Sequence, residues 1–145
     1  MNLAPQDLSY FTLRLQELLN TSFPELSGDK VFITHRSRLA SHAYKGAFLA
    51  GNPIELCNEI ADYILFENLH FSQFDTIFRV ICSKFDTILS DEELHPFALK
   101  MLGECKGVFE QYLLNEEFVD SPEFDLLYTE LTGSIQIWIE EQGLE

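Results

Sequence analysis

Apolar residues recur at every third or fourth position in six stretches of this chain, which is the spacing of one face of an α-helix. The clearest stretch has apolar residues at Phe74, Ile77, Phe78, Ile81, Phe85, Ile88 and Leu89. Residues that start or stop helices bracket each stretch. The pattern predicts an all-α protein, a compact single-domain bundle of six to seven helices over residues 1–145.

Capping and terminating residues delimit the first three predicted helices. The first helix covers residues 8–20 and ends before Phe23-Pro24, because proline disfavours helical geometry in the residue before it. A second helical region fills 29–51, with Asp29 as its N-cap, and it is either one helix or two. Its alanine-rich stripe would let a neighbouring helix approach closely. Asn52 is the predicted N-cap of the third helix.

The second half of the chain carries similar signals. Ser72 and Ser90 each precede an acidic residue by three positions and are predicted to cap the fourth and fifth helices. The apolar pattern then runs unbroken through 91–112, although Gly103 predicts a bend or a split there. An acidic loop over 113–120 leads into a last helix that starts at Ser121-Pro122.

Composition places the chain among globular cytoplasmic proteins. Of its 145 residues, 46% are hydrophobic, which is enough to fill a core of this size. The three cysteines match no zinc or disulfide spacing and each lies in an apolar helical stripe, so we expect reduced core thiols. No signal-peptide pattern and no membrane-length apolar run occurs, so we expect a cytoplasmic protein without a membrane partner.

Charge is distributed unevenly along the chain. The formal net charge is -15, and residues 104–145 contain eleven Asp or Glu against Lys106 alone. Residues 30–45 contain four Lys or Arg, two His and no acidic residue. Because nucleic-acid affinity comes mainly from basic groups, we expect no direct binding to nucleic acid.

The basic segment supplies the candidate binding residues, which are Arg36, Arg38, His42 and Lys45, together with His35. If exposed, these residues would form an anion-facing surface on the second helical region. The alternatives are a contact with the acidic last helix, which we favour because such surface pairs are common, and an opposite-charge contact between copies of the chain.

Two Glu-x-x-His motifs supply the candidate metal ligands, which are Glu67, His70, Glu92 and His95. Paired motifs of this kind hold the metals of carboxylate-bridged di-iron bundles. Here both motifs lie at predicted helix ends near solvent, whereas such sites need ligands that project into the bundle. We therefore expect no metal site and no cofactor.

No other catalytic pattern stands out. The sequence has no nucleophile-elbow motif and no glycine-rich phosphate loop after a strand, and it does not place a cysteine beside a histidine. Adjacent acidic pairs point in different directions on a helix. The sequence therefore favours a protein that is not an enzyme.

Several segments resemble a known family. They are residues 8–11, 64–72, 75–77 and, above all, the run Ser-Pro-Glu-Phe-Asp-Leu-Leu-Tyr-Thr-Glu-Leu-Thr-Gly at 121–133. These segments are similar to a "domain of unknown function" family of small all-helical proteins from anaerobic gut and oral bacteria. The resemblance implies a cytoplasmic helical protein whose gene often lies on a mobile element, and it implies no activity, cofactor or catalytic residue.

Three hypotheses follow. The leading one is a non-catalytic protein of otherwise unknown function that binds a protein partner or itself. The alternative is an acidic mimic or modulator of nucleic-acid-handling proteins, which would require a phosphate-like row of carboxylates on one face. A carboxylate/histidine metal-binding oxidoreductase ranks third.

Overall fold

A computed structural model of the chain describes residues 8–143. Within that range the all-α prediction is confirmed, since the structure contains seven α-helices, one short 3-10 helix and no strand. The helices are α1 Leu8–Ser22, α2 Lys30–Leu49, α3 Ile54–Leu65, α4 Gln73–Lys84, α5 Asp91–Glu104, α6 Lys106–Phe109 and α7 Pro122–Gln142. The 3-10 helix is Phe118–Asp120.

The helices fall into two compact units that divide between His70 and Phe71. Each unit has its own cluster of buried side chains, from α1–α3 in the first unit and from α4–α7 with the 3-10 helix in the second. The organisation of residues 1–145 as a single domain stays a prediction. What the structure adds is a separate core for each half of the sequence.

In the first unit, α2 packs against both α1 and α3. On the buried face of α2, the small residues Ala40, Ser41 and Ala47 alternate with the larger Ile33 and Tyr44. The predicted alanine-rich stripe is confirmed in part, since Phe48, which it included, is half exposed. An ion pair also links α1 to α3. Arg14 donates to both carboxylate oxygens of Asp62, at 2.5 and 3.3 Å, and this hydrogen bonding raises the pKa of the guanidinium.

In the second unit, α4 packs against α5 and α7. Aromatic rings fill much of the space where the 3-10 helix meets α7. The ring of Phe118 lies 5.4 Å from Phe71, 5.7 Å from Tyr112 and 6.1 Å from Phe124, all in edge-to-face geometry. The segment predicted as an acidic loop therefore carries a buried aromatic anchor within it.

Most predicted helix ends are confirmed. Asp29 accepts a hydrogen bond from the Phe32 amide at 3.0 Å, and Ser72 accepts one from the Asp75 amide at 2.9 Å. At the start of α5, the Glu93 carboxylate accepts the Ser90 amide at 2.8 Å, which forms the predicted capping box. This hydrogen bond lowers the pKa of Glu93.

One cap prediction is wrong. Asn52 does not cap α3, whose N-cap is Pro53. Instead, the Asn52 side-chain amide donates to the carbonyl of Ala47 at 2.9 Å. The turn between α2 and α3 is short and passes through Gly51 at φ 92°, so the last carbonyls of α2 are within reach of Asn52. Asn52 therefore completes the end of α2 and not the start of α3.

The structure defines the number of helices in the two regions, 29–51 and 91–112, for which the sequence allowed either one helix or two. Region 29–51 contains a single helix, α2, without a break at Thr34 or Ser37. Region 91–112 is divided at Cys105 into α5 and α6, close to the predicted break at Gly103. The long apolar stripe at 74–89 continues past the end of α4, where Phe85 and Leu89 are buried but Ile88 is half exposed.

Candidate interaction surface on helix α2

Arg36 lies on the inner side of α2 and caps the end of α3. Its guanidinium donates to the carbonyls of Glu67 at 2.7 Å and Leu65 at 3.3 Å, and it lies 4.7 Å from the centroid of the Phe32 ring. The last carbonyls of a helix have no hydrogen-bond partner within the helix, and they form the negative end of the helix dipole. A guanidinium that reaches them supplies both hydrogen bonds and a positive charge. Of the candidate binding residues, Arg36 therefore has a structural role.

The other candidates lie on the outer side of α2. Arg38, His42 and Lys45 are exposed, as is His35, and none forms an ion pair with a residue in the described range 8–143. Positions 35, 38, 42 and 45 alternate between steps of three and four, so the four side chains form one row on the helix. The helix contains no acidic residue to neutralise them.

Exposed apolar residues extend this row at both ends. Val31 is 81% exposed and Leu49 is 84% exposed, and they continue the same alternating spacing by one step at each end. We call the set Val31, His35, Arg38, His42, Lys45 and Leu49 the α2 stripe. By the helical rise it extends for about 27 Å.

Sequence reasoning missed the apolar part of this surface. Val31 and Leu49 do not belong to the inward stripe of α2, which made them look like unremarkable surface residues. The signal that could have revealed them is their seven-residue register with the basic positions. Ile54, the first residue of α3, is also half exposed.

The acidic last helix has an exposed row of the same kind. The set Glu123, Leu126, Glu130, Gly133, Ile137 and Glu140 alternates in steps of three and four, and every member is exposed. Leu126 is 60% and Ile137 is 55% exposed. We call this set the α7 stripe. Helix α7 contains five acidic residues and no Lys, Arg or His.

The structure gives no support to a metal centre. Glu67, His70, Glu92 and His95 are all exposed. The ring of His95 lies 5.2 Å from that of Phe74, which is a packing contact. Across residues 8–143, no group of three or more His, Cys, Asp or Glu side chains is placed to hold a metal ion.

Two of the three cysteines lie in the core, as the sequence predicted, and Cys82 belongs to neither core cluster. Cys57 and Cys105 are buried, Cys82 is half buried, and all three are free thiols. Burial raises the pKa of Cys105 to about 11, so its thiol stays protonated at neutral pH. A reactive cysteine needs the opposite, an exposed and electropositive setting that favours the thiolate.

Comparisons with known proteins define the class to which this helical chain belongs. A family model described as "Domain of unknown function (DUF1896)" matches residues 4–144, and the chain belongs to this family. The crystal structure of protein PG0816 from Porphyromonas gingivalis is similar, with a TM-score of 0.90 and 38% sequence identity, over 96% of this chain and 95% of that one. The predicted resemblance to a family of unknown function with members in oral bacteria is confirmed.

Two further observations complete the comparison. No curated protein matches the chain. In the part of the chain that the structure describes, no helix is both long enough and apolar enough to cross a membrane.

Proposed function

We propose that this protein is non-catalytic and acts in the cytoplasm by binding a protein partner through the α2 stripe. The observation that carries the proposal is the row of exposed Arg38, His42 and Lys45, flanked by the strongly exposed Val31 and Leu49. Charged side chains at a helix surface are usually solvated, but two large apolar side chains in register with them add area whose burial is favourable. A basic centre with apolar ends suits an acidic, partly apolar protein surface.

The ionisable groups support a non-catalytic role. The groups with shifted pKa values have structural causes, namely the Asp62 hydrogen bond for Arg14, the N-cap for Glu93, and burial for Tyr44 and Cys105. Catalytic sites instead gather several such groups in one cleft. Free cysteines, two of them buried, support a reducing compartment such as the cytoplasm. A gene position on a mobile element stays a prediction from the family resemblance.

The alternative of an acidic nucleic-acid mimic has less support. The carboxylates along the α7 stripe, Glu123, Glu130 and Glu140, are seven and ten residues apart. At the helical rise these steps are about 10 and 15 Å. One strand of duplex DNA presents a phosphate about every 3.4 Å along its axis. The α7 stripe therefore does not supply the phosphate-like row that mimicry requires.

Site-specific photocrosslinking in a native host cell tests the proposed function. A photoreactive amino acid replaces His42, at the centre of the α2 stripe, and in a matched control it replaces Tyr63, which is 70% exposed on α3 of the same unit. We expect a discrete protein adduct from position 42 that is absent from position 63. No adduct from position 42, or the same adducts from both positions, would contradict the proposal.

A further inference from the structure

The α2 stripe and the α7 stripe complement each other in charge, length and spacing. Helix α2 has 20 residues and carries no acidic residue, and α7 has 21 residues and carries no basic one. Each stripe has six exposed positions in alternating steps of three and four, the spacing at which two helices pack side by side. In one chain both stripes are exposed.

We propose that the partner of the α2 stripe is the α7 stripe of a second copy of this chain. This inference rests on the proposed function, since it names the protein that the α2 stripe binds. The contact joins two different surfaces, so two copies either form a twofold dimer with two such contacts or extend head to tail. Either assembly uses the same pair of helices.

An antiparallel register places compatible residues opposite each other. If Leu49 of one copy meets Leu126 of the other, equal rises along both helices place Lys45 at Glu130 and His35 at Glu140. The same register places Arg38 at Ile137, where its aliphatic stem packs on an apolar side chain. Gly133 then faces His42, where the absence of a side chain leaves room for the imidazole. Antiparallel packing also sets the opposite ends of the two helix dipoles side by side.

Overall charge works against this association, and local charge works for it. Two copies with a formal charge of -15 each repel at long range. At physiological ionic strength charges are screened beyond about 8 Å, so the opposite charges in contact at the two stripes dominate once the copies meet. The apolar side chains Val31 and Leu49 at the two ends of the α2 stripe add apolar area that the contact can bury. The association is therefore expected to be concentration dependent and to tolerate moderate salt.

Charge inversion on each stripe tests the inference with purified full-length protein. The first variant is Arg38→Glu/Lys45→Glu and the second is Glu130→Lys/Glu140→Lys. All four positions are exposed. Glu130 accepts a hydrogen bond from the Tyr112 hydroxyl and Glu140 accepts one from the Gln136 amide within the chain, so circular dichroism verifies that each variant is folded. We expect sedimentation velocity to show wild-type self-association that weakens by about tenfold or more in either variant, because each variant places like charges where Lys45 and Glu130 meet. Arg38→Glu in addition sets a carboxylate against the apolar Ile137.

The decisive measurement is the equimolar mixture of the two variants. In the first variant the α2 stripe carries two carboxylates and no Lys or Arg. In the second the α7 stripe carries two Lys against Glu123 alone. The two inverted stripes are therefore complementary, and so are the two stripes left as in the wild type. We expect the mixture to associate as the wild type does. A mixture that does not recover would overturn the inference, as would a wild-type protein that is monomeric at every concentration.

A matched control separates the stripe from net charge. Lys84→Glu/Lys106→Glu makes the same charge change as the first variant at exposed positions on α4 and α6. We expect it to associate like the wild type, and equal weakening would overturn the inference. Failure of the two proposals is distinguishable. If the protein is monomeric and position 42 crosslinks a different protein, only the inference of a second copy as partner is refuted. If position 42 gives no crosslink at all, the proposed function is refuted.

Discussion

Arg36 and Arg38 are two residues apart and chemically identical, yet the structure predicts opposite consequences for their removal. The Arg36 guanidinium donates to carbonyls at the end of α3, with the shortest distance, 2.7 Å, to Glu67, and it stacks on Phe32. Arg38 is exposed and makes no such contact. We expect Arg36→Ala to destabilise the protein and Arg38→Ala to leave its stability unchanged.

The size of the effect follows from these contacts. A hydrogen bond to a charged group contributes about 1.5–3 kcal/mol. A cation–π contact at an exposed site adds about 0.5–1 kcal/mol. Because Arg36 is only half buried, we take the lower part of the combined range and expect Arg36→Ala to cost about 2 kcal/mol. Arg38→Ala should change the free energy of unfolding by less than about 0.5 kcal/mol.

Urea unfolding followed by far-ultraviolet circular dichroism measures this difference. With a denaturant slope of about 2 kcal/mol per molar urea, the midpoint of Arg36→Ala should fall by about 1 M relative to the wild type. Arg36→Lys keeps the charge but loses the planar fork and the stacking, so it should recover only part of the loss. Equal midpoints for Arg36→Ala and Arg38→Ala would refute the assignment of Arg36 as the cap of α3.

Three further predictions concern the core, one helix cap and the thiols. Leu131→Ala removes a fully buried side chain of α7 and should lower the free energy of unfolding by about 2–5 kcal/mol. Leu126→Ala, on the exposed side of the same helix, should lower it by less than about 0.5 kcal/mol at low protein concentration. Shifts in Tm measure both effects. Because its pKa is lowered, Glu93 stabilises the fold fully above its ordinary pKa of 4.5 and loses this effect as the pH falls through the lowered value. Glu93→Gln should therefore be less stable at neutral pH and show a flatter decline of the urea midpoint in acid. In the folded protein, alkylation followed by mass spectrometry should modify half-buried Cys82 first, and rapid modification of Cys105 would contradict its burial.

Local signals in the sequence were sufficient to predict most of the helices. Ser72 and Ser90 cap α4 and α5 as expected, because an N-cap hydrogen bond reaches only two or three residues along the chain. Asn52 shows where such reasoning fails. Its side chain could have bonded either to the first backbone amides of α3 or to the last carbonyls of α2. In the tight turn the carbonyl of Ala47 lies within reach, and the side-chain amide donates to it.

The candidate site could be predicted only in part, for a related reason. The sequence placed Arg36 and Arg38 on one basic segment, but it gave no information on the end of α3, which lies about thirty residues further along the chain and holds Arg36. The rotation of α2 that turns Arg38 outward is set by its packing against α1 and α3. The order of apolar and basic residues along the α2 stripe can be read from the sequence. The exposure of these side chains cannot, because it depends on how α2 packs.

Each hydrophobic core is built from one continuous half of the chain, and this has a consequence for synthesis on the ribosome. Translation at about 5–20 residues per second leaves roughly 4–15 s between completion of the first half and completion of the second. Helical units dominated by local contacts fold in microseconds to milliseconds. The nascent first half, α1 to α3, therefore has time to bury its apolar residues before the last helix is translated. Few apolar residues of this half then remain exposed during synthesis.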